Sequence, residues 1–175
     1  PEWVKAIKDC LAKITPDFTM KRQLDDYYDR FYTKEGARGK KLAANGYKLA
    51  KEIAAWKEHV AENWDTVEIK EVNLPQADIN AGLGVGQEYN ATVVVDGKAI
   101  AGDLGIDLVV TKFGDGGQHN YKTMEMEVVK REGSLVTFAV NYPVVNSGAY
   151  QFGFRLFPKN ENLPHRMDFA YTKWF

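Results

Sequence analysis

The sequence predicts an α+β fold: an N-terminal helical segment of about three helices over residues 1–65, then a seven-stranded immunoglobulin-like β-sandwich over residues 66–175. Two observations carry this. Apolar residues recur at spacings of three and four up to Asp65 and at a spacing of two beyond it, the periods of an amphipathic helix and of a strand with one buried face. After Asp65, seven short alternating stretches are each bounded by turn residues, the pattern of an immunoglobulin-type sandwich.

Composition narrows the class further. Apolar residues make up 45% and charged residues 27% of the 175 residues, and the net charge is −1, so no field attracts nucleic acid or an anionic membrane. Both are excluded as partners. One cysteine, Cys10, leaves no internal disulfide framework and suits a reducing compartment. No apolar run approaches the ~20 residues that span a bilayer, and no charged-then-apolar leader opens the chain. A cytoplasmic protein is expected, and the start at Pro1 rather than Met predicts a piece of something longer.

Pro1 suits a helix start, and Trp3, Ile7, Cys10, Leu11 and Ile14 form one apolar stripe up to the stop signal Thr15-Pro16. On that stripe Cys10 reads as a small buried hydrophobe rather than a nucleophile, since no histidine accompanies it. Thr19 is placed to cap a second helix with Met20, Leu24, Tyr27, Tyr28 and Phe31 on its apolar face. Asp25 and Asp26 point about 100° apart on such a helix and read as a solvated face, not as paired catalytic carboxylates. Gly36 and Gly39 bracket a basic turn, residues 37–41, expected to be a solvated linker rather than a phosphate contact because no strand precedes it. A third helix is expected over residues 40–64, with Leu42, Leu49, Ile53, Trp56, Val60 and Trp64 along one side. Asn45-Gly46 interrupts it and predicts a kink or a close helix contact.

The strand signals follow. Val67, Ile69 and Val72 begin a first strand ending at Pro75; residues 89–96 and 104–113 form the second and third, stopped by Asp96-Gly97 and Asp115-Gly116-Gly117. Residues 123–131 and 134–142 are joined at Glu132-Gly133 as a hairpin. Tyr150, Phe152, Phe154 and Leu156 alternate with Gln151, Gly153 and Arg155 as a sixth strand ended by Pro158, and residues 167–174 complete seven. Gly82-Leu83-Gly84-Val85-Gly86 lacks the preceding strand and following helix of a dinucleotide fingerprint, so it reads as a loop.

Two groups of residues carry a resemblance. Near the C-terminus they are Tyr150, Phe152, Arg155 and Pro158, then Asn162-Leu163-Pro164, Asp168-Phe169-Ala170 and Lys173-Trp174. Near the N-terminus they are Trp3, Lys8, Ile14, Pro16, Phe18, Thr19 and Arg22, then Asp26-Tyr27-Tyr28-Asp29-Arg30-Phe31-Tyr32, then Ala54-Ala55-Trp56-Lys57 and Trp64. In this order they resemble the end of the catalytic region and the C-terminal extension of the bacterial α-glucan (glycogen or maltodextrin) phosphorylases, with one departure, Gln23 in place of a Met. The resemblance implies a parent glycosyltransferase that cleaves the terminal α-1,4-glucosidic bond with phosphate, giving glucose 1-phosphate. It also implies pyridoxal phosphate held by a lysine of a Gly-Thr-Ser-Gly-Met-Lys type motif, which is absent from this chain.

The residues themselves offer little chemistry. Ser134 and Ser147 sit in turns without a nucleophile elbow. His59, His119 and His165 are far apart without metal-ligand spacing, and Asp103 and Asp107 lack the acidic density of a calcium loop. No catalytic, cofactor-binding or metal-ligating residue is therefore assigned, and the chain alone is expected to be inactive. Its expected partners are the rest of the parent chain, together with an α-glucan and a second copy of itself as further candidates. The stripe of Trp3, Tyr27, Phe31 and Trp56 is expected to pack on the sandwich or on that second copy. The alternative reading is a carbohydrate-binding module, for which Tyr121, Tyr142, Tyr150 and Trp174 are the candidate stacking residues.

Overall fold

The structure, a computed structural model, describes residues 1–74, 85–114 and 117–175. The chain forms two compact units, Pro1–Glu52 and Ile53–Phe175.

The first unit is helical. Helix α1 (Glu2–Lys13) carries Glu2 in its first turn and Lys13 in its last, both matched to the helix dipole. Helix α2 (Met20–Tyr27) is capped as expected, the Thr19 side chain accepting the Arg22 N–H at 3.2 Å. It widens at once into a π-turn, Tyr28–Tyr32, closed by the Thr33 hydroxyl donating to the Tyr28 carbonyl at 2.7 Å. Helix α3 (Thr33–Asn63) follows without a gap and breaks at Ala44, Asn45, Gly46 and Tyr47, the last three with positive φ. The kink expected at Asn45-Gly46 is therefore present. The linker expected at residues 37–41 is not: Gly36 and Gly39 lie inside the helix. The alanine, arginine, lysine and leucine around them form helix well enough to outweigh the ~1 kcal/mol that each glycine costs relative to alanine. Cys10 is exposed, not buried, because Trp3, Ile7, Leu11 and Ile14 on its stripe are themselves exposed.

The second unit holds the end of α3 and two four-stranded antiparallel sheets. One has the order β1 (Glu68–Asn73), β2 (Glu88–Asp96), β6 (Leu135–Pro143), β5 (Glu127–Glu132); the other β4 (Gly117–Glu125), β3 (Leu104–Gly114), β7 (Tyr150–Pro158), β8 (Lys173–Trp174). Alternate residues of both sheets meet in one core: Val93 and Val95, Ile106 and Leu108, Val136 and Phe138, Phe154 and Leu156. Tyr89 and Phe152 stack across it with centroids 4.2 Å apart. Val60 and Trp64, at the end of α3 and just after it, join this core, so the helix end closes the sandwich.

Eight strands are described where the periodicity gives seven. The stretch expected as one strand over residues 123–131 belongs to β4 and β5, which lie in different sheets. Met126 makes the crossing; its side chain is buried and its N–H donates to the Ile106 carbonyl at 2.7 Å. No turn residue marks the switch, because a buried methionine crosses between layers without breaking the alternation. The last expected strand, residues 167–174, shrinks to Lys173–Trp174. Ahead of it Arg166–Phe169 is a 3-10 turn held by Lys57, whose ammonium pairs with Asp168 at 2.8 Å, and by Trp56 packing on Phe169. The end expected for the first strand at Pro75 lies outside the described residues, as do Gly82, Leu83 and Gly84; Gly86 is described, its N–H donating to the Val144 carbonyl at 2.8 Å.

Candidate functional site

The densest polar arrangement crosses the outer face of the second sheet. Register places Glu125 of β4 opposite Asp107 of β3, Asp107 opposite Arg155 of β7, and Arg155 opposite Trp174 of β8. Asp107 is 0% exposed. Arg155 donates to its Oδ2 through Nη2 at 2.7 Å and Nε at 3.2 Å. Arg166, from the 3-10 turn, donates to the same oxygen and through Nη2 to Glu125 Oε2 at 2.8 Å. Its guanidinium lies 4.0 Å from the centroid of the Phe157 ring, which covers Gly105, where a Cβ would stand 2.6 Å from Phe157 Cζ. Lys159 closes the cluster on Glu125.

This arrangement is built for holding rather than for reaction. A carboxylate with no exposed surface and two guanidinium groups on one oxygen has no route to a substrate proton. Its effect is to pin the returning C-terminal segment to β3. The sequence carried one signal for it, a single acid inside the otherwise apolar run Leu104-Gly105-Ile106-Asp107-Leu108-Val109-Val110.

The other residues flagged by the sequence do not converge. Asp103 ends a 3-10 turn and its carbonyl accepts the Lys159 N–H at 2.7 Å. Asp25 pairs with Lys21 at 2.6 Å, and Asp26 with Arg22 and, at 3.6 Å, Arg30, all one helical turn apart. His59 faces the Ala99 carbonyl from α3, His119 lies in β4 against Gly114, and His165 precedes the 3-10 turn. Ser134 sits in the β5–β6 hairpin turn and Ser147 in the loop before β7. Among the described residues no group of three or more histidine, cysteine, aspartate or glutamate side chains is placed to hold a metal. Nor, among the described residues, is any helix long and apolar enough to cross a membrane.

The four aromatic candidates divide. Tyr142 is buried and edge-on to Phe152; Tyr150 is half-buried and meets Tyr121 edge-on at 5.3 Å. Trp174 is 58% exposed and lies against Gly153, with the Arg155 guanidinium 5.5 Å from its ring centroid.

Residues 64–175, which hold both sheets, match the glycogen phosphorylase C-terminal domain. The chain belongs to that family. A maltodextrin phosphorylase of Thermococcus litoralis is 27% identical over 181 residues, covering 98% of this chain and 20% of its own length. A glycogen phosphorylase of Mycobacterium tuberculosis is 24% identical over 139 residues, covering 69% of this chain and 16% of its own length. The chain thus spans about a fifth of the length of the curated relatives it matches. For a glycogen phosphorylase C-terminal domain the implied cofactor is pyridoxal phosphate, and the described residues do not fit it. A Schiff-base lysine sits desolvated in a shaped pocket, whereas the buried charged residues described here are Asp96 and Asp107 and include no lysine.

Proposed function

We propose that this chain is the C-terminal part of a pyridoxal-phosphate-dependent α-glucan phosphorylase and supplies neither a catalytic nor a cofactor-binding residue to the phosphorolysis of α-1,4-glucan. The observation that carries this reading is the domain match over residues 64–175 within a chain that aligns over 98% of its length with a maltodextrin phosphorylase. Residues 1–65 are the end of the catalytic region. Residues 66–175 form an immunoglobulin-like sandwich acting in structure or subunit contact. The sheet order supports that description: β1-β2-β6-β5 corresponds to the ABED sheet and β3-β7-β8 to CFG, with β4 added beside β3.

The helical segment supports a docking role on the rest of the parent chain. Neither α1, α2 nor the π-turn buries a residue, and Trp3, Leu11 and Leu24 on the helices, Phe18 between them and Phe31 in the π-turn are large, apolar and exposed. Exposed apolar surface on this scale marks an interaction face. The parent is cytoplasmic, and a second copy of the chain is the further partner through the same surface. The chain alone is expected to bind a hydrophobic dye or to self-associate, and to lose both properties when continuous with the upstream region. Undiminished dye binding in the joined protein, or turnover of maltodextrin by the chain alone, would overturn the proposal.

A second reading, an α-glucan-binding sandwich, is favoured by one observation, the exposed Trp174 lying on a glycine as a sugar-stacking ring does. Titration of maltoheptaose against tryptophan fluorescence tests it; an unchanged signal in the wild-type chain rejects it.

A further inference from the structure

At the end of the sandwich nearest Tyr142 the register of β3 and β4 slips by one residue. Val110 stands opposite Lys122 and Thr111 opposite Asn120, which leaves Tyr121 as the extra residue of a β-bulge. Bulges of this kind re-aim side chains. Here two consecutive residues of β4 serve one cluster: Tyr121 packs edge-on to Tyr150, and the Lys122 ammonium lies 5.4 Å from the Tyr142 ring centroid.

From β3, the Lys112 ammonium lies 5.9 Å from the centroid of Tyr121 and 5.6 Å from that of Tyr150. Its stem passes Gly148, where a Cβ would stand 3.2 Å from Lys112 Cε. Asn146 Nδ2 donates to the Tyr121 hydroxyl at 2.7 Å. The hydroxyl of Tyr142 is raised above its ordinary range by burial, and further by the nearby Tyr121 and Tyr150. Three tyrosine rings, an amide and two ammonium groups are gathered at one end of the fold. Among the described residues no carboxylate is within ion-pair reach of Lys112 or Lys122, although most lysines of this unit pair with an acid or a carbonyl.

We propose that Lys112, Lys122, Tyr121, Tyr142, Tyr150 and Asn146 form a binding site for a small phosphate-bearing anion. The chemistry is complementary. Two ammonium groups supply charge to an oxyanion, and the Tyr121 hydroxyl, which accepts from Asn146, keeps its own O–H to donate to it, while the Tyr150 hydroxyl donates to the Ser147 carbonyl at 3.5 Å and contributes its ring. The rings beneath the ammonium groups hold them at the cluster without neutralising them, which a carboxylate partner would do. Inorganic phosphate and a sugar phosphate share this chemistry, and Tyr121, the most exposed of the three rings, is the one a sugar would meet.

The test is calorimetric titration of the whole chain with inorganic phosphate and, separately, with glucose 1-phosphate at low ionic strength. Lys112→Met and Lys122→Met keep the apolar stems over the rings and remove the charges. Both ligands are expected to saturate, with affinity reduced about tenfold by each substitution, as the loss of one charge-assisted contact predicts. Lys130→Met, on β5, leaves binding unchanged, and thermal unfolding of each variant checks that it is folded. Tighter binding of the sugar phosphate, cancelled by Tyr121→Ala, assigns the site to phosphorylated sugars; equal affinities assign it to the phosphate group alone. Absence of saturable binding by wild type, or binding equal in wild type and the Lys112/Lys122 double variant, overturns the proposal.

Discussion

At the scale of single residues, the two buried acids of the second unit act in different ways. Asp107 has no exposed surface, so its charge depends on Arg155 and Arg166, and removing one arginine leaves a sealed carboxylate underpaired. Arg155→Met is expected to cost about 2–4 kcal/mol in urea unfolding, near the range for a broken buried ion pair. Arg166→Met is expected to cost less, about 1–2 kcal/mol, because that side chain is more exposed and its pair is better screened. Equal costs would mean that the two arginines are interchangeable. Asp96 is held down to about 2 by the Lys98 ammonium at 2.5 Å and by the Ser134 side chain. A carboxyl depressed below its ordinary 3.8 contributes stability above that value and loses it as pH falls toward the folded value. Stability should therefore decline between about pH 5 and pH 2. Asp96→Asn should flatten that part of the profile, and an unchanged slope would assign the acid sensitivity to other groups.

At the scale of elements, turns and caps were legible from the sequence, and layer changes were not. Thr19, Asn45-Gly46 and the β5–β6 turn act locally, through one cap, one break and one glycine, so their residues announce them. Gly133, with φ of 62°, sits at the first central position of that two-residue turn. Gly133→Ala is expected to destabilise the chain by about 1–2 kcal/mol, the cost of left-handed backbone for an L-residue. The Met126 crossing and the retreat of the last strand depend instead on distant partners, Ile106 for one and Lys57 with Trp56 for the other. Period-two alternation continues through both and hides them. The same holds for the polar clusters: Asp107 was visible as a charge in an apolar run, but its arginines lie 48 and 59 residues away in sequence and meet it only through sheet register. At Gly105 the fold leaves no room for a Cβ beneath Phe157. Gly105→Ala should cost about 1–3 kcal/mol by overpacking, and a neutral result would show that the Phe157 ring yields under Arg166.

At the scale of the whole molecule, the change of period near Asp65 marks where strands begin, while packing draws the second unit's border earlier, at Ile53. The difference has an energetic content. Val60 is 0% exposed and Trp64 4%, and both belong to the core that the two sheets share. Lys57 and Trp56 tie the same helix end to Asp168 and Phe169, and Lys173 donates to the Trp64 carbonyl at 2.9 Å. The last turns of α3 therefore close the sandwich as well as lead into it. A chain beginning at Ile53 should unfold in one cooperative transition. One beginning at residue 66 loses Val60 and Trp64, and at about 1.5–3 kcal/mol for each large apolar side chain removed from water it forfeits about half of a typical domain's 5–15 kcal/mol. Urea denaturation of the two truncated chains separates the outcomes. If they unfold at the same midpoint, the helix end is only a tether; if the shorter one loses several kcal/mol or fails to fold, the segment from Ile53 to the first strand is part of the domain's core.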